Sequence, residues 1–436
     1  LPPEENTERE VAPMADDVGA KIENLAAVVE EKVIDWRHQI HENPELPNRE
    51  EETARLVADH LNGLGFDEVK TGIAHHGVIG VLTGNNDDGR VMGLRADMDA
   101  LPIEELQDLP YRSTKVDHDY PGGPFPVSHM CGHDAHTAML MGAAEVLANL
   151  RNELPGTVKF LFQPGEEGPP ITEEGGAGLM VKQGALEDPR PDMMFVLHAG
   201  PLPDGYLSYT SGHALASSDY LSIKIEGAGV HGSTPWHGND PMPVAAEIIT
   251  ALTQVYRQVP ATNAMTISIG KVVDQGRFNT IGSDVELIGT MRIVEDEIID
   301  DVHQRVERVA EHVAQAHGLT ATTEFKQHVP ALRNNPQWLD RILPTVRRVM
   351  GDDKVIPAPP TLAYDDASEF VNPIGGAYLS LGGQDVEPID GTLRAKKGGR
   401  GFWFNHSPNF YWNDSNLRSG VRLHSHVTYD FLTGKI

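Results

Sequence analysis

The chain has 436 residues, 39% of them hydrophobic, enough for a large core and more than one domain. A formal net charge of −29 argues against a nucleic-acid partner, and the basic residues gather only in the short run Arg394-Ala395-Lys396-Lys397. No apolar run approaches the roughly 20 residues of a membrane span, so no membrane partner is expected, and a lone cysteine, Cys131, excludes an intrachain disulfide.

The first 21 residues are polar and proline-tipped and begin at Leu1, like a leader left by processing. They set an expectation of a soluble periplasmic or secreted protein, with the cytoplasm as the alternative. From residue 22 to about 42, apolar residues recur at helical spacing (Leu25, Val29, Val33, Trp36, Ile40), and Pro44 stops the run. A second helix is predicted over 50–64, ending at Gly65. Four short apolar runs, 77–82, 91–94, 158–162 and 194–197, read as buried strands separated by helical stretches such as 135–150. This is α/β alternation around a mixed sheet.

Polar groups follow three of those strands: Asp97 and Asp99 after the second, Glu166-Glu167 after the third, His198 after the fourth. Each alone has a bland account, since aspartate is common in turns and a histidine can be a satisfied core residue. In open α/β sheets, however, the ligand crevice lies beyond the carboxyl ends of the strands, so these groups are expected to converge. Cys131 lies in Met130-Cys131-Gly132-His133-Asp134-Ala135-His136, directly before a helix. Gly132 permits a tight backbone path, the helix N-terminus with Asp134 as cap lowers a thiol pKa, and Cys-x-His offers two metal ligands.

Residues 216–328 carry a different pattern, β-α-β-β-α-β, bounded by the polar, glycine-bearing Ser211-Gly212-His213 and by Val329-Pro330-Ala331. The expected architecture is therefore α/β in two domains. A catalytic domain spans 22–215 and 329–436, and a ferredoxin-like unit is inserted at 216–328.

Five segments together resemble the M20 group of metal-dependent peptidases and amidohydrolases, in particular the hippurate hydrolase, aminoacylase and auxin-conjugate hydrolase branch. They are Arg95-Ala96-Asp97-Met98-Asp99-Ala100-Leu101-Pro102, Cys131 to Thr137, Phe162-Gln163-Pro164-Gly165-Glu166-Glu167-Gly168, Gly229-Val230-His231-Gly232-Ser233, and His406-Ser407-Pro408-Asn409-Phe410. The resemblance implies two divalent metal ions, zinc or manganese with cobalt admitted, held by Cys131, His133, Glu167, His198 and His406, the thiolate bridging. It implies Glu166 as general base, Asp99 as a carboxylate orienting a ligand imidazole, and His231 as an oxyanion donor reaching the partner subunit's site. Asn279 and Arg292 resemble contacts to a substrate carboxylate, for which the planar arginine fork is suited. The inserted domain would act as lid and dimerisation surface, giving a homodimer or higher homo-oligomer.

The chain departs from the family pattern at Pro235-Trp236-His237, at Asp365-Asp366-Ala367-Ser368, and in a glycine-rich, basic segment over 382–404, expected to be a loop near the pocket mouth. The expected activity is hydrolysis of the amide bond of an N-acyl or N-aroyl amino acid, with carboxypeptidase or dipeptidase action on short peptides as the alternative. A non-catalytic binding protein on the same fold is disfavoured by the retained Glu166 and five ligands.

Overall fold

The computed structural model describes residues 15–85, 88–389 and 392–436. An eight-stranded sheet forms the larger body. Its order is Glu68–Ile73, Gly77–Thr83, Thr157–Gln163, Val91–Asp97, Met193–Pro203, Gly376–Gln384, Leu207–Tyr209 and Val355–Pro357. The four central strands run parallel, so their carboxyl ends share one edge, while the outer pairs are mostly antiparallel.

The central strands are buried along nearly their whole length and mostly apolar because both faces are covered. Their alternate side chains sort cleanly between two cores. Phe160, Phe162, Phe195 and Leu197 join the helices Ala15–Glu42, His133–Asn149 and Leu417–Leu432 on one face, whereas Leu161, Met194 and Val196 join Gly176–Lys182 and Ser368–Ile374 on the other. The His133–Asn149 helix is buried nearly all round because it is sandwiched between the sheet and the two long helices.

Residues 15–21, expected in the leader, are instead the first turns of the Ala15–Glu42 helix, and Val18 is buried there. The rest of the expected leader lies outside the described residues. Among the described residues no helix is long and apolar enough to cross a membrane.

Ser218–Glu226, Met265–Asp274, Asp284–Ile293 and Thr320–Val329 form a second, four-stranded antiparallel sheet. Its spatial order is second, third, first, fourth, with helices Pro241–Leu252 and Ile299–Ala316 packed on it. The latter helix is amphipathic: Val302, Val306, Ala310 and Ala314, one stripe at four-residue spacing, close on Leu221, Ile223 and Leu287 in a core of its own.

Candidate metal centre

The site lies at the carboxyl edge of the parallel strands. Asp97 ends the Val91–Asp97 strand, and Glu166-Glu167 follow the Thr157–Gln163 strand by three residues. His198 does not follow its strand, as expected, but lies inside it, because the strand continues to Pro203. Gly132 starts the helix at φ 93°, and a Cβ there would come within 2.6 Å of the Ala199 Cβ. Only glycine can make that turn without displacing its neighbour, so Cys131 and His133 project from both sides of one tight bend. Asp134 is not the cap. Its carboxylate is buried against the Arg37 guanidinium at 3.0 Å and His41 Nδ1 at 2.8 Å, and no side chain caps this helix.

Hydrogen bonds decide which imidazoles keep a free lone pair. His133 Nδ1 lies 3.2 Å from Asp99 Oδ1, so it donates there and leaves Nε2 as the basic atom; that Nε2 is buried with no hydrogen-bond partner. A carboxylate behind an imidazole whose far nitrogen is orphaned is the arrangement of a metal-ligating histidine. His198 Nδ1 donates to the Ala199 carbonyl at 3.0 Å, which turns Nε2 toward the Cys131 sulfur, 3.6 Å away. His136 is different. Its Nδ1 donates to Asp97 at 2.5 Å and its Nε2 accepts the Ala199 N–H at 2.6 Å, so no lone pair remains, although the ring sits among the others.

Glu167 Oε1 lies 3.1 Å from His406 Nε2 and 3.7 Å from His133 Nε2. Asp99 ties this group together, accepting the Glu167 backbone N–H at 2.9 Å through its second oxygen. Cys131, Glu167 and His406 bring their ligand atoms within 4.8 Å of one another, and the same sulfur touches His198 on its other side. Burial raises the Cys131 thiol pKa, but His198 and His133 outweigh it and hold the thiol well below its ordinary range. The donor set of one thiolate, one carboxylate and three imidazoles, with an orphaned buried nitrogen, fits divalent cations.

Behind these groups lies a buried charge cluster. Arg95 donates to Asp97 at 2.7 Å, to Asp365 at 2.9 Å, to Asp366 at 3.3 Å and to Gln163 at 2.8 Å. Glu166 lies against Asp365 and Asp366. Burial, then the charges of Asp365 and Glu167, push its carboxyl well above the usual range. Burial, opposed by Arg95 and aided by Asp365, pushes Asp366 up to about 8.

A cleft of about 700 Å³ opens onto Cys131, Glu166, Glu167, His198 and His406, and Arg292 lines it as well, its guanidinium 4.6 Å from the centre of the Tyr364 ring. His231 and Asn279 do not line this cleft. Both are exposed on the smaller body, where Gly232 N–H donates to the Asn279 carbonyl at 2.8 Å.

Residues 93–392 match the pattern of peptidase family M20/M25/M40. The chain belongs to that family. M20 relatives include Thermostable carboxypeptidase 2 of Saccharolobus solfataricus, 31% identical over 95% of this chain and 99% of its own length. The hippurate hydrolase of Campylobacter jejuni is 34% identical over 79% of this chain and 86% of its own. Among solved structures, Bacillus subtilis YXEP, a dinuclear metal-binding M20 peptidase, superposes with a TM-score of 0.72 at 26% identity, covering 93% of this chain and 99% of that one. This M20 chain is thus a hydrolase of carbon–nitrogen bonds, and its ligand groups support metal ions.

Three parts of the M20 site escaped the sequence. Arg95 has no role legible from its motif alone, although a charge inside the mostly apolar Val91–Asp97 strand is a signal. His136 lies three residues after His133, on the same helix face, which hinted at its place beside the ligands. Asn405 had no signal, because the partners of its carboxamide, the carbonyls of Cys131 at 3.1 Å and Ala199 at 3.0 Å, are 274 and 206 residues away.

Proposed function

We propose that this M20 enzyme hydrolyses the amide bond of N-acyl or N-aroyl amino acids, with Glu166 as general base. The observation that carries the reading is the shared cleft: a buried carboxyl, a convergent ligand set and one arginine face the same space. Cys131, His133, Glu167, His198 and His406 would hold two divalent cations. Thiolate and imidazole suit zinc, and the carboxylate admits manganese or cobalt. Such cations, when bound, lower the pKa of water and polarise a carbonyl.

Glu166 takes a proton from the attacking water and delivers it to the leaving nitrogen. Asp99 holds His133 and the Glu167 backbone in position. Arg292 receives the free carboxylate of the amino acid, held in place by its contact with the Tyr364 ring.

Residues 216–328 act in this reading as lid and dimerisation domain, and its edge strand Met265–Asp274 and the fully exposed Phe278 support an open surface there. His231 and Asn279 would serve the partner subunit. In support, His231 Nδ1 accepts the Ser233 N–H at 3.1 Å, which leaves the proton on Nε2 as a donor for an oxyanion.

Replacing Glu166 by Gln should lower turnover by about two to four orders of magnitude with metal content unchanged; undiminished hydrolysis by that variant refutes the role. Carboxypeptidase action is a second reading, favoured by the similarity to the Saccharolobus enzyme, because a peptide's last residue is also an N-acyl amino acid. Relative kcat/KM for N-acyl amino acids and for short peptides separates the two.

A further inference from the structure

The cleft exposes an apolar wall that no part of the described chain covers. Phe404 lines it and is 67% exposed, and Leu362 lines it at 39%. Leu215 and Pro359 extend the same surface.

The exposure of Phe404 does not come from a slack loop. Trp403 N–H donates to Gln384 Oε1 at 3.1 Å, and Gln384 Nε2 donates back to the Trp403 carbonyl at 2.6 Å. On the other side the Asn405 carboxamide is fastened to Cys131 and Ala199, His406 N–H donates to the Met130 carbonyl at 2.8 Å, and Ser407 N–H closes the turn onto the Phe404 carbonyl at 3.2 Å. The backbone is pinned immediately before and after Phe404. The ring is therefore presented two residues from His406, in the cleft that also holds Glu166 and Arg292.

An N-acyl amino acid has two ends. The carboxylate is matched by Arg292, an arginine lining this cleft. The acyl group is left with the apolar wall, which gains only when something apolar covers it. We infer that Phe404 and Leu362 form the acyl-binding surface and select medium-chain or aromatic acyl groups over acetyl. The inference rests on the amidohydrolase reading and deepens it. Covering a phenyl ring with substrate is worth a factor of about ten to a hundred in affinity.

The test uses the full chain loaded with Mn²⁺ and three substrates sharing one amino acid: N-acetyl-, N-octanoyl- and N-benzoyl-methionine. The wild-type protein should show a KM for the octanoyl and benzoyl compounds at least about tenfold below that for acetyl. Phe404→Ser should raise the octanoyl KM about tenfold and leave the acetyl KM within about twofold. Leu362→Ser should act in the same direction, and Phe404→Leu should restore most of the octanoyl preference. Preference of the wild type for acetyl, or variants that change all three substrates alike, would overturn the inference. Hydrolysis of none of the three would sink the amidohydrolase reading instead. Calorimetric binding of the octanoyl and acetyl compounds to the same proteins then decides the acyl surface by itself, equal or undetectable binding counting against it.

Discussion

Asn405 shows how much of the site rests on one uncharged side chain. Its amide nitrogen reaches the Cys131 and Ala199 carbonyls and lies 3.5 Å from the Cys131 sulfur, so it links the segments carrying Cys131, His198 and His406. Two carbonyl acceptors fix which end of the carboxamide faces inward. The neighbouring His406 has φ 69°, a left-handed conformation uncommon outside glycine, and the Asn405 hydrogen bonds help hold it. Asn405→Asp keeps the shape and replaces the donor by an acceptor facing two carbonyls and a thiolate. It should lower Mn²⁺ affinity by about 10- to 100-fold, read by calorimetry, with the circular dichroism spectrum unchanged. Cys131 and His133 were legible because their spacing is local. Asn405 was not, since its meaning depends wholly on contacts made across the fold.

At the scale of elements, the buried helix His133–Asn149 holds Cys131 and His133 at its start against the sheet. Gly142 lets the neighbouring helices approach: a Cβ there would meet Val33 Cγ2 at 2.6 Å and Val421 Cγ2 at 2.7 Å. Alanine gains about 1 kcal/mol of helix propensity over glycine, but overpacking typically costs about 1–3 kcal/mol. Both contacts are with valines, whose χ1 is stiff, so the overpacking term should win. Gly142→Ala is expected to destabilise the protein by about 1–2 kcal/mol in urea unfolding. The helix itself was readable as an apolar run, as were the central strands and the β-α-β-β-α-β order. The apolar pattern left the ends loose: the first helix starts at Ala15 and the His198 strand runs on to Pro203, because hydrogen bonds to neighbouring strands, not local composition, end a strand.

Over the whole molecule, the first helix is fastened to the site by charge. Burial lowers the His41 pKa, but Asp134 at 2.8 Å and Glu105 at 3.1 Å outweigh it and raise it to about 9. A raised imidazole pKa contributes stability fully below its unfolded value near 6.5 and loses it as pH climbs through about 9. The contribution is on the order of 3 kcal/mol. The wild type should therefore lose more stability between pH 6 and pH 9.5 than His41→Gln does, as measured by chemical unfolding at both pH values. The proposed dimer makes a separate prediction. Subunits carrying His231→Ala and Glu166→Gln, each inactive alone, should regain partial activity as mixed dimers, since one site of the mixed dimer receives an intact His231 from its partner. Verified mixed dimers without recovery would place the site within one subunit.

By itself the sequence determined the α/β alternation, the second sheet's order of elements and the Cys131–His133 pair, because strand and helix periodicity and Cys-x-His spacing are local properties, whereas the full candidate ligand set came from the resemblance of its motifs to the M20 group. Only the tertiary structure decided which nitrogen of each histidine is free, that His136 is spent on Asp97 and Ala199, that Asp134 serves the Arg37–His41 pair instead of a helix cap, and that Arg292 shares the cleft while His231 stands apart. Those outcomes depend on hydrogen bonds and burial between residues tens to hundreds of positions apart, and such contacts exist only once the chain has folded.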